Sequence, residues 1–422
     1  MDTGQVRSNQ PLSDKEKVLA FCTPESEVAF SLAEFRERLQ RIKARMAQAG
    51  IDTLFVSSPE NMYYVSGFRA NWYSAQGPRF WVGASGIAIN VNADDYIHFE
   101  RQHEQVVAKY TTVSRDIRVP TDRRALALKD FIIENLEQAG WLKGKVGLEL
   151  WNYRPKPGYS REFQAALEAK GATVVDGTDI VNAVRRRKSP MELAYIRTAA
   201  GLGDIGMRAA KAAIRPGVTE LDVYAEMTYA MAKAGGEVPA ITPPVVSGPK
   251  CAATHSFASR RQIMPGDLIN IDVCGVYNRY HSNLARSFSV GAPAKPVAER
   301  VAASARAFEV FAQHARPDAR ILTVMETMRD YYRDAGVWGN QRWIGGYELG
   351  IGFPPDWVGP FAYDLDIDLG DETFGAGTVV NFESQFYLPD AAGVSLLIDT
   401  AMFEEGRVSL LHTVERDLII VE

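Results

Sequence analysis

The chain has 422 residues, 46% hydrophobic and 23% charged, with a formal net charge of −5. That size and balance describe a soluble globular chain long enough for two domains with full cores, and exclude a disordered one. Mild acidity without a basic stripe excludes affinity driven by a nucleic-acid backbone. The three cysteines, Cys22, Cys251 and Cys274, show no CxxC spacing, which suits a reducing cytoplasm. The polar N-terminus lacks an apolar signal core and no apolar run reaches membrane-spanning length, so neither secretion nor a membrane partner is expected.

Residues 1–30 read as an arm. Regular structure begins at Ser31, which with Glu34 forms a capping box; Leu39, Ile42 and Met46 recur at helical spacing, and Gly50 closes the helix. A strand follows over 51–57. Further apolar runs at 80–91, 96–99, 146–150 and 173–175 alternate with helical stretches at 121–139 and 159–170, the pattern of an α/β domain over 31–184. The cluster His98, Glu100, Arg101, His103 and Glu104 has no metal-site spacing and reads as a solvated strand end. Arg185-Arg186-Arg187-Lys188 reads as a solvated linker. The next residues, Ser189-Pro190-Met191-Glu192, form a second capping box, which sets a domain boundary at residue 185.

The second domain, 185–422, repeats itself. Arg215-Pro216 separates two long helices, and Arg316-Pro317 does the same about a hundred residues later. Each pair leads through a helix and a glycine-rich loop to a strand with one acid, Asn270-Ile271-Asp272 in the first half and Asn381-Phe382-Glu383 in the second. A carboxylate inside an apolar strand is costly unless something pairs with it, and acids at matching places in two halves point to a shared task.

At these residues the chain resembles a known family. Residues from about 190 onward resemble the pita-bread fold of methionine aminopeptidase, prolidase, creatinase and ectoine hydrolase; residues 31–180 resemble the N-terminal domain of the prolidase and creatinase branch. The implied fold class is an α/β N-terminal domain plus an α+β pita-bread domain with an internal pseudo-twofold repeat. In the family's metallopeptidases two Asp, one His and two late Glu hold two metal ions. The resemblance carries those places to Asp272, Asn283, Tyr347, Glu383 and Glu415. Three carboxylates are kept, while an imidazole and a bridging acid are lost, so no metal or other cofactor is expected. Clustered acids without a metal repel one another and raise some of their pKa values, which suits a cationic ligand or a protonated acid.

Creatinase and ectoine hydrolase, members without metal, break C–N bonds of small zwitterionic or amidine-like molecules. Ser247-Gly248 through His255 is similar to the segment that carries their active-site histidine, which implies that His255 is the general acid/base. Gly346-Tyr347 through Pro354-Pro355-Asp356-Trp357 looks like the ectoine hydrolase signature, as does Arg279-Tyr280-His281. In that enzyme a glutamate attacks from the place of Asp272, so either Asp272 or water is the nucleophile here. Creatinase keeps a glutamate at the place of Ala285 and an arginine at that of Val358, so the chain is a mosaic of the two. In family dimers the N-terminal domain reaches over the partner's pocket. The corresponding loop here carries Trp72 and Tyr73 for stacking and Arg79 for a carboxylate, which implies a homodimer.

The expected function is therefore metal-independent hydrolysis of a non-peptide C–N bond in a small zwitterionic metabolite. His255, Asp272, Glu383 and Tyr347 are the expected catalytic residues; Arg79, Trp72, Tyr73, Asp356, Glu415 and Asn283 are expected to bind the substrate. The alternatives are a metal-dependent Xaa-Pro dipeptidase-like enzyme or lyase, and a non-catalytic binding protein.

Overall fold

The computed structural model describes residues 11–70, 85–120 and 125–422. The chain divides into two compact units, residues up to Val184 and residues from Arg185 onward.

In the first unit the elements run α1 (Asp14–Phe21), α2 (Leu32–Ala49), β1 (Thr53–Val56), α3 (Pro59–Ser66), β2 (Gly86–Asn90), β3 (Ile97–Phe99), α4 (Gln105–Thr111), β4 (Asp116–Arg118), α5 (Ala125–Gln138), β5 (Lys145–Leu148), α6 (Pro157–Glu168), β6 (Thr173–Asp176) and α7 (Thr178–Arg185). The strands form one mixed sheet in the order β4-β3-β2-β1-β5-β6. Phe55 and Val146 on the sheet meet Ile132 and Leu136 of α5 and Phe163 and Leu167 of α6. Only half of the capping box at Ser31 forms. Ser31 Oγ accepts the Glu34 N–H at 3.2 Å, but the Glu34 carboxylate turns to Arg38 at 3.1 Å. Arg38 is buried, its guanidinium 3.9 Å over the Phe30 ring, and pairing with this buried charge outcompetes the cap.

The expected solvated cluster at β3 is corrected in part. His98 and Glu100 are fully buried. Burial depresses the imidazole to about 3 and lifts the carboxyl to about 7, so the histidine is neutral and the site is no cation sink.

The second unit runs α8 (Pro190–Ala213), α9 (Glu220–Lys233), β7 (Val245–Ser247), β8 (Leu268–Tyr277), β9 (Tyr280–Val290), α10 (Lys295–His314), α11 (Ile321–Asp334), β10 (Gln341–Tyr347), β11 (Ala362–Asp364), β12 (Val379–Tyr387), β13 (Val394–Glu404), β14 (Arg407–Leu410) and β15 (Ile419–Val421). The internal repeat is visible as two helix pairs, α8/α9 and α10/α11, each followed by a long antiparallel hairpin, β8/β9 and β12/β13. The sheet order β11-β10-β12-β13-β9-β8-β7 joins the halves where β13 meets β9, at Ile398 opposite Ala285. The Thr400 hydroxyl bridges this seam, accepting the Asn283 N–H at 2.8 Å and donating to the Asn283 carbonyl at 2.9 Å.

Period-two alternation sorts each long strand onto two faces. Ile269, Ile271 and Val273 of β8 join Met207, Met227 and Met231 of α8 and α9 in one core. Val380, Phe382 and Phe386 of β12 join Phe308 and Phe311 of α10 in the other. The opposite face is left to Asn270, Asp272, Asn381, Glu383 and Gln385, all buried. Gly275 lets α8 lie directly on β8, because a Cβ there would collide with the Ala199 carbonyl.

The basic cluster is not a solvated linker. Arg185 donates to the Ile351 carbonyl at 3.2 Å, Arg186 stacks on Phe361 at 3.7 Å, and Arg187 donates to the Ala376 carbonyl at 3.1 Å. Lys188, buried, pairs with buried Glu348. The charges are retained because they meet backbone carbonyls, an aromatic face and acids, one of them buried. Lys188→Met should therefore cost about 3–5 kcal/mol, since it leaves Glu348 buried and unpaired. Adding Glu348→Leu should recover most of that loss in urea denaturation.

Candidate active site

A cavity of about 750 Å³ opens on the polar face of the second unit, and Asp272, Glu383, Tyr347, Asp356 and His255 all line it. Asp272 and Glu383 lie on β8 and β12, the matching strands of the two repeats. One hydrogen-bonded chain joins them. Asn283 Nδ2 donates to Asp272 Oδ1 at 2.7 Å. Asn381 Nδ2 donates both to Asn283 Oδ1 at 3.0 Å and to Glu383 Oε1 at 2.7 Å. Gln385 Nε2 donates to the other oxygen of Glu383, and Arg342 Nη1 holds the Gln385 carbonyl oxygen. Tyr347 donates its hydroxyl to Asn283 Oδ1 at 3.3 Å and accepts Trp357 Nε1 at 3.1 Å.

Burial is the main electrostatic fact of the site. It lifts Asp272 to about 7, against the lowering effect of the Asn283 amide, and lifts Glu383 to about 8, with the Asp272 charge adding to the rise. The Tyr347 phenol is raised well above its ordinary value by burial and by both acids, so it acts as a neutral donor. Both carboxyls are thus pushed toward the neutral range, where one can keep its proton while the other is ionised.

The other expected residues divide. His255 is exposed at the mouth, beside Phe257 and Ser256, and no described residue orients its ring. Asp356 is also at the mouth, its Oδ1 accepting the Val358 N–H at 3.0 Å. Glu415 stands away from the cavity, half-exposed and ion-paired to Lys211 at 2.6 Å. The residue opposite Glu383 on β13 is instead Ile398, which lines the cavity with Leu396. Of the three carboxylates expected in the cluster, Asp272 and Glu383 line the cavity and Glu415 does not. Arg79, Trp72 and Tyr73 lie outside the described residues. Asn381, Gln385 and Arg342 were not foreseen; the alternation of β12 around Glu383 is the signal that could have found the first two.

The Arg279-Tyr280-His281 motif holds the wall rather than lining the cavity. Asn278 and Arg279 take positive φ angles of 47° and 63° at the tip of the β8/β9 hairpin, as a two-residue turn of type I′ requires. Arg279 then donates to the Gly352 carbonyl at 2.7 Å and to the Val238 carbonyl at 2.9 Å. His281 Nε2 accepts the Ala240 N–H at 3.1 Å, and burial depresses the ring to about 3. The Gly352 bond seats the loop that follows Tyr347, and the other two seat the segment between α9 and β7.

A pita-bread fold with two buried acids on one cavity defines a hydrolase class. Residues 194–414 match metallopeptidase family M24, and residues 38–187 match the creatinase/prolidase N-terminal domain; the chain belongs to this family of hydrolases. It is 28% identical over 356 residues to the ectoine hydrolase of Halomonas elongata, covering 78% of this chain and 83% of that one. It is 25% identical over 390 residues to an Xaa-Pro dipeptidase of Pyrococcus furiosus, covering 91% of this chain and 100% of that one. In fold it is similar to the prolidase of Pyrococcus horikoshii OT3, with a TM-score of 0.75 and 22% identity over 91% of this chain and 100% of that one.

The family name implies metal, and the donors present do not fit a two-metal centre. Among the described residues no group of three or more His, Cys, Asp or Glu could hold an ion. Asn283 offers an amide whose oxygen already accepts Asn381 and Tyr347. Both oxygens of Glu383 accept amide donors, and Ile398 closes the remaining side.

Raised carboxyl pKa values make a linkage statement. Between about pH 4 and pH 8 the native state keeps protons that the unfolded chain has lost, so stability is fully present in acid and falls as pH rises through 7–8. Thermal melts across that range should show this slope, and Asp272→Asn or Glu383→Gln should flatten it; a slope unchanged in both variants contradicts the assignment.

Proposed function

We propose that the protein is a metal-independent hydrolase that cleaves a non-peptide C–N bond, of amidine or amide type, in a small zwitterionic nitrogenous metabolite. The observation that carries this reading is the buried Asp272/Glu383 pair, both carboxyls lifted by burial and wired by amides where a metal centre would need further acids. Such a pair offers a base and an acid at the same pH. Asp272, with only Oδ1 engaged by a described residue, takes the proton of a water as its oxygen bonds to the amidine or carbonyl carbon. Protonated Glu383 gives its proton to the nitrogen as the C–N bond breaks. Direct attack by Asp272 is the other route to the same products. His255 at the mouth passes protons between the leaving amine and solvent, and the Tyr347 and Trp357 wall orients the substrate.

The Xaa-Pro dipeptidase likeness supports a second reading, metal-dependent peptidase activity, and one set of measurements separates them. Purified protein should carry no stoichiometric transition metal. Creatine, ectoine, hydroxyectoine, guanidino acids and N-methyl amino acids should be screened for released amine, and turnover should survive chelation. Asp272→Asn and His255→Ala should each lower kcat about a hundredfold or more. Activity abolished by chelation and restored by metal would favour the dipeptidase. Tyr347→Phe should slow turnover; an unchanged rate would leave that hydroxyl no role.

A second copy of the chain belongs to this reading, with Arg79 completing the partner's site. Mixing inactive Arg79→Ala and Asp272→Asn subunits should then restore about a quarter of wild-type activity after random exchange into dimers. No recovery would place both residues in one chain's site.

A further inference from the structure

Arg342 is the cavity-wall cation whose aim is set by a backbone irregularity. Along β10 and β12, Gln341 pairs with Phe386 and Trp343 with Gln385, so the register slips and Arg342 is left unpaired between them. A bulge of this kind turns a side chain out of the strict alternation. Here it allows Arg342 and Trp343, neighbours in sequence, to line the same cavity. Arg342 Nη1 is committed to Gln385 Oε1. Its Nε and Nη2 bond no described residue, and no described carboxylate forms an ion pair with it, although the cavity is lined by three acids, Asp272, Asp356 and Glu383. The half-buried guanidinium therefore presents a donor edge to the cavity.

A solvated arginine would need none of this arrangement. Gln385, held by Arg342 at its oxygen, is obliged to turn its N–H₂ toward Glu383. One amide and two hydrogen bonds thus separate the guanidinium from the buried acid, a span of no more than about 8 Å. An anion on one side and a cationic or amidine nitrogen on the other would both be met by a compact ligand.

We propose that Arg342 is the anion anchor of the substrate site, binding a carboxylate of a ligand whose basic nitrogen end rests against Asp272 and Glu383. The assignment rests on the small-zwitterion reading above and narrows it to molecules whose carboxylate lies only a few bonds from the amidine or amide. It also places the anchor on the same unit as the acids. A guanidinium edge holds a carboxylate with paired charge-assisted bonds, and losing such bonds costs about tenfold or more in affinity.

The test is binding of matched pairs, guanidinoacetate against methylguanidine and creatine against 1,1-dimethylguanidine, measured by calorimetry on the full-length protein. Wild type should prefer the carboxylate-bearing member of a pair by about tenfold or more. Arg342→Gln should erase the preference while leaving the affinity for the carboxylate-free member within about twofold, and Arg342→Lys should recover part of it. Gln385→Met, which keeps the guanidinium, should retain the preference; if it behaves like Arg342→Gln, Arg342 acts only by positioning Gln385 and the anchor is wrong. Wild type without a preference, including wild type that binds neither member, also overturns it. Should Arg342→Gln fail to fold, Arg342→Lys and Gln385→Met decide the matter. Turnover and metal content are read separately, so loss of the hydrolase reading would not be mistaken for loss of the anchor.

Discussion

Everything in the catalytic unit turns on two carboxyl groups that have been taken out of water without a full counter-charge. Asp272 and Glu383 are nearly inaccessible, and a buried carboxylate costs several kcal/mol unless donors or cations offset it. The fold answers with neutral donors. Asn283 donates to Asp272, Gln385 donates to Glu383, and Asn381 between them donates both to Asn283 and to Glu383. Dipoles of this kind offset only part of the desolvation, which is why both carboxyls are lifted toward the neutral range.

That constraint explains the surrounding architecture. Each acid comes from one half of the internal repeat, and the halves meet where Thr400 clasps the backbone of Asn283. The clasp holds the amide that links the two acids, so the seam of the repeat and the centre of the site coincide. On the outer face, the methionine-rich core under α8 and α9 and the phenylalanine-rich core under α10 and α11 make the strands rigid platforms. Arg279 ties the loop beyond Tyr347 through the Gly352 carbonyl, and Arg279 and His281 tie the segment before β7 through the Val238 carbonyl and the Ala240 N–H. A signature that looks chemical in sequence is mechanical in space: its imidazole is buried and neutral.

The acids were legible because a charge in an apolar strand stands out, and standing at equivalent points of a repeat it stands out twice. The repeat itself was legible from Arg215-Pro216 and Arg316-Pro317, which fall between the members of each helix pair. The basic run 185–188 was misread, since charge density suggests solvation unless one knows that carbonyls and Glu348 wait beneath it. Glu415 was misplaced as well. The resemblance carried it from the family's late glutamate, but in the fold it lies beyond β14 and pairs with Lys211, while Ile398 of β13 stands opposite Glu383.

What the sequence by itself determined was the identity of the strands, the helix caps at Ser31 and Ser189, the duplication, and the pair of acids, because these follow from periodicity and from the cost of burying charge. Tertiary structure alone decided how those acids are held and what shares their cavity. The amide chain depends on side chains from three strands, β8, β9 and β12, brought level by register, and Arg342 faces the cavity only because β10 bulges at that residue. Register and bulges arise from pairing between distant segments, and no local pattern of residues encodes them.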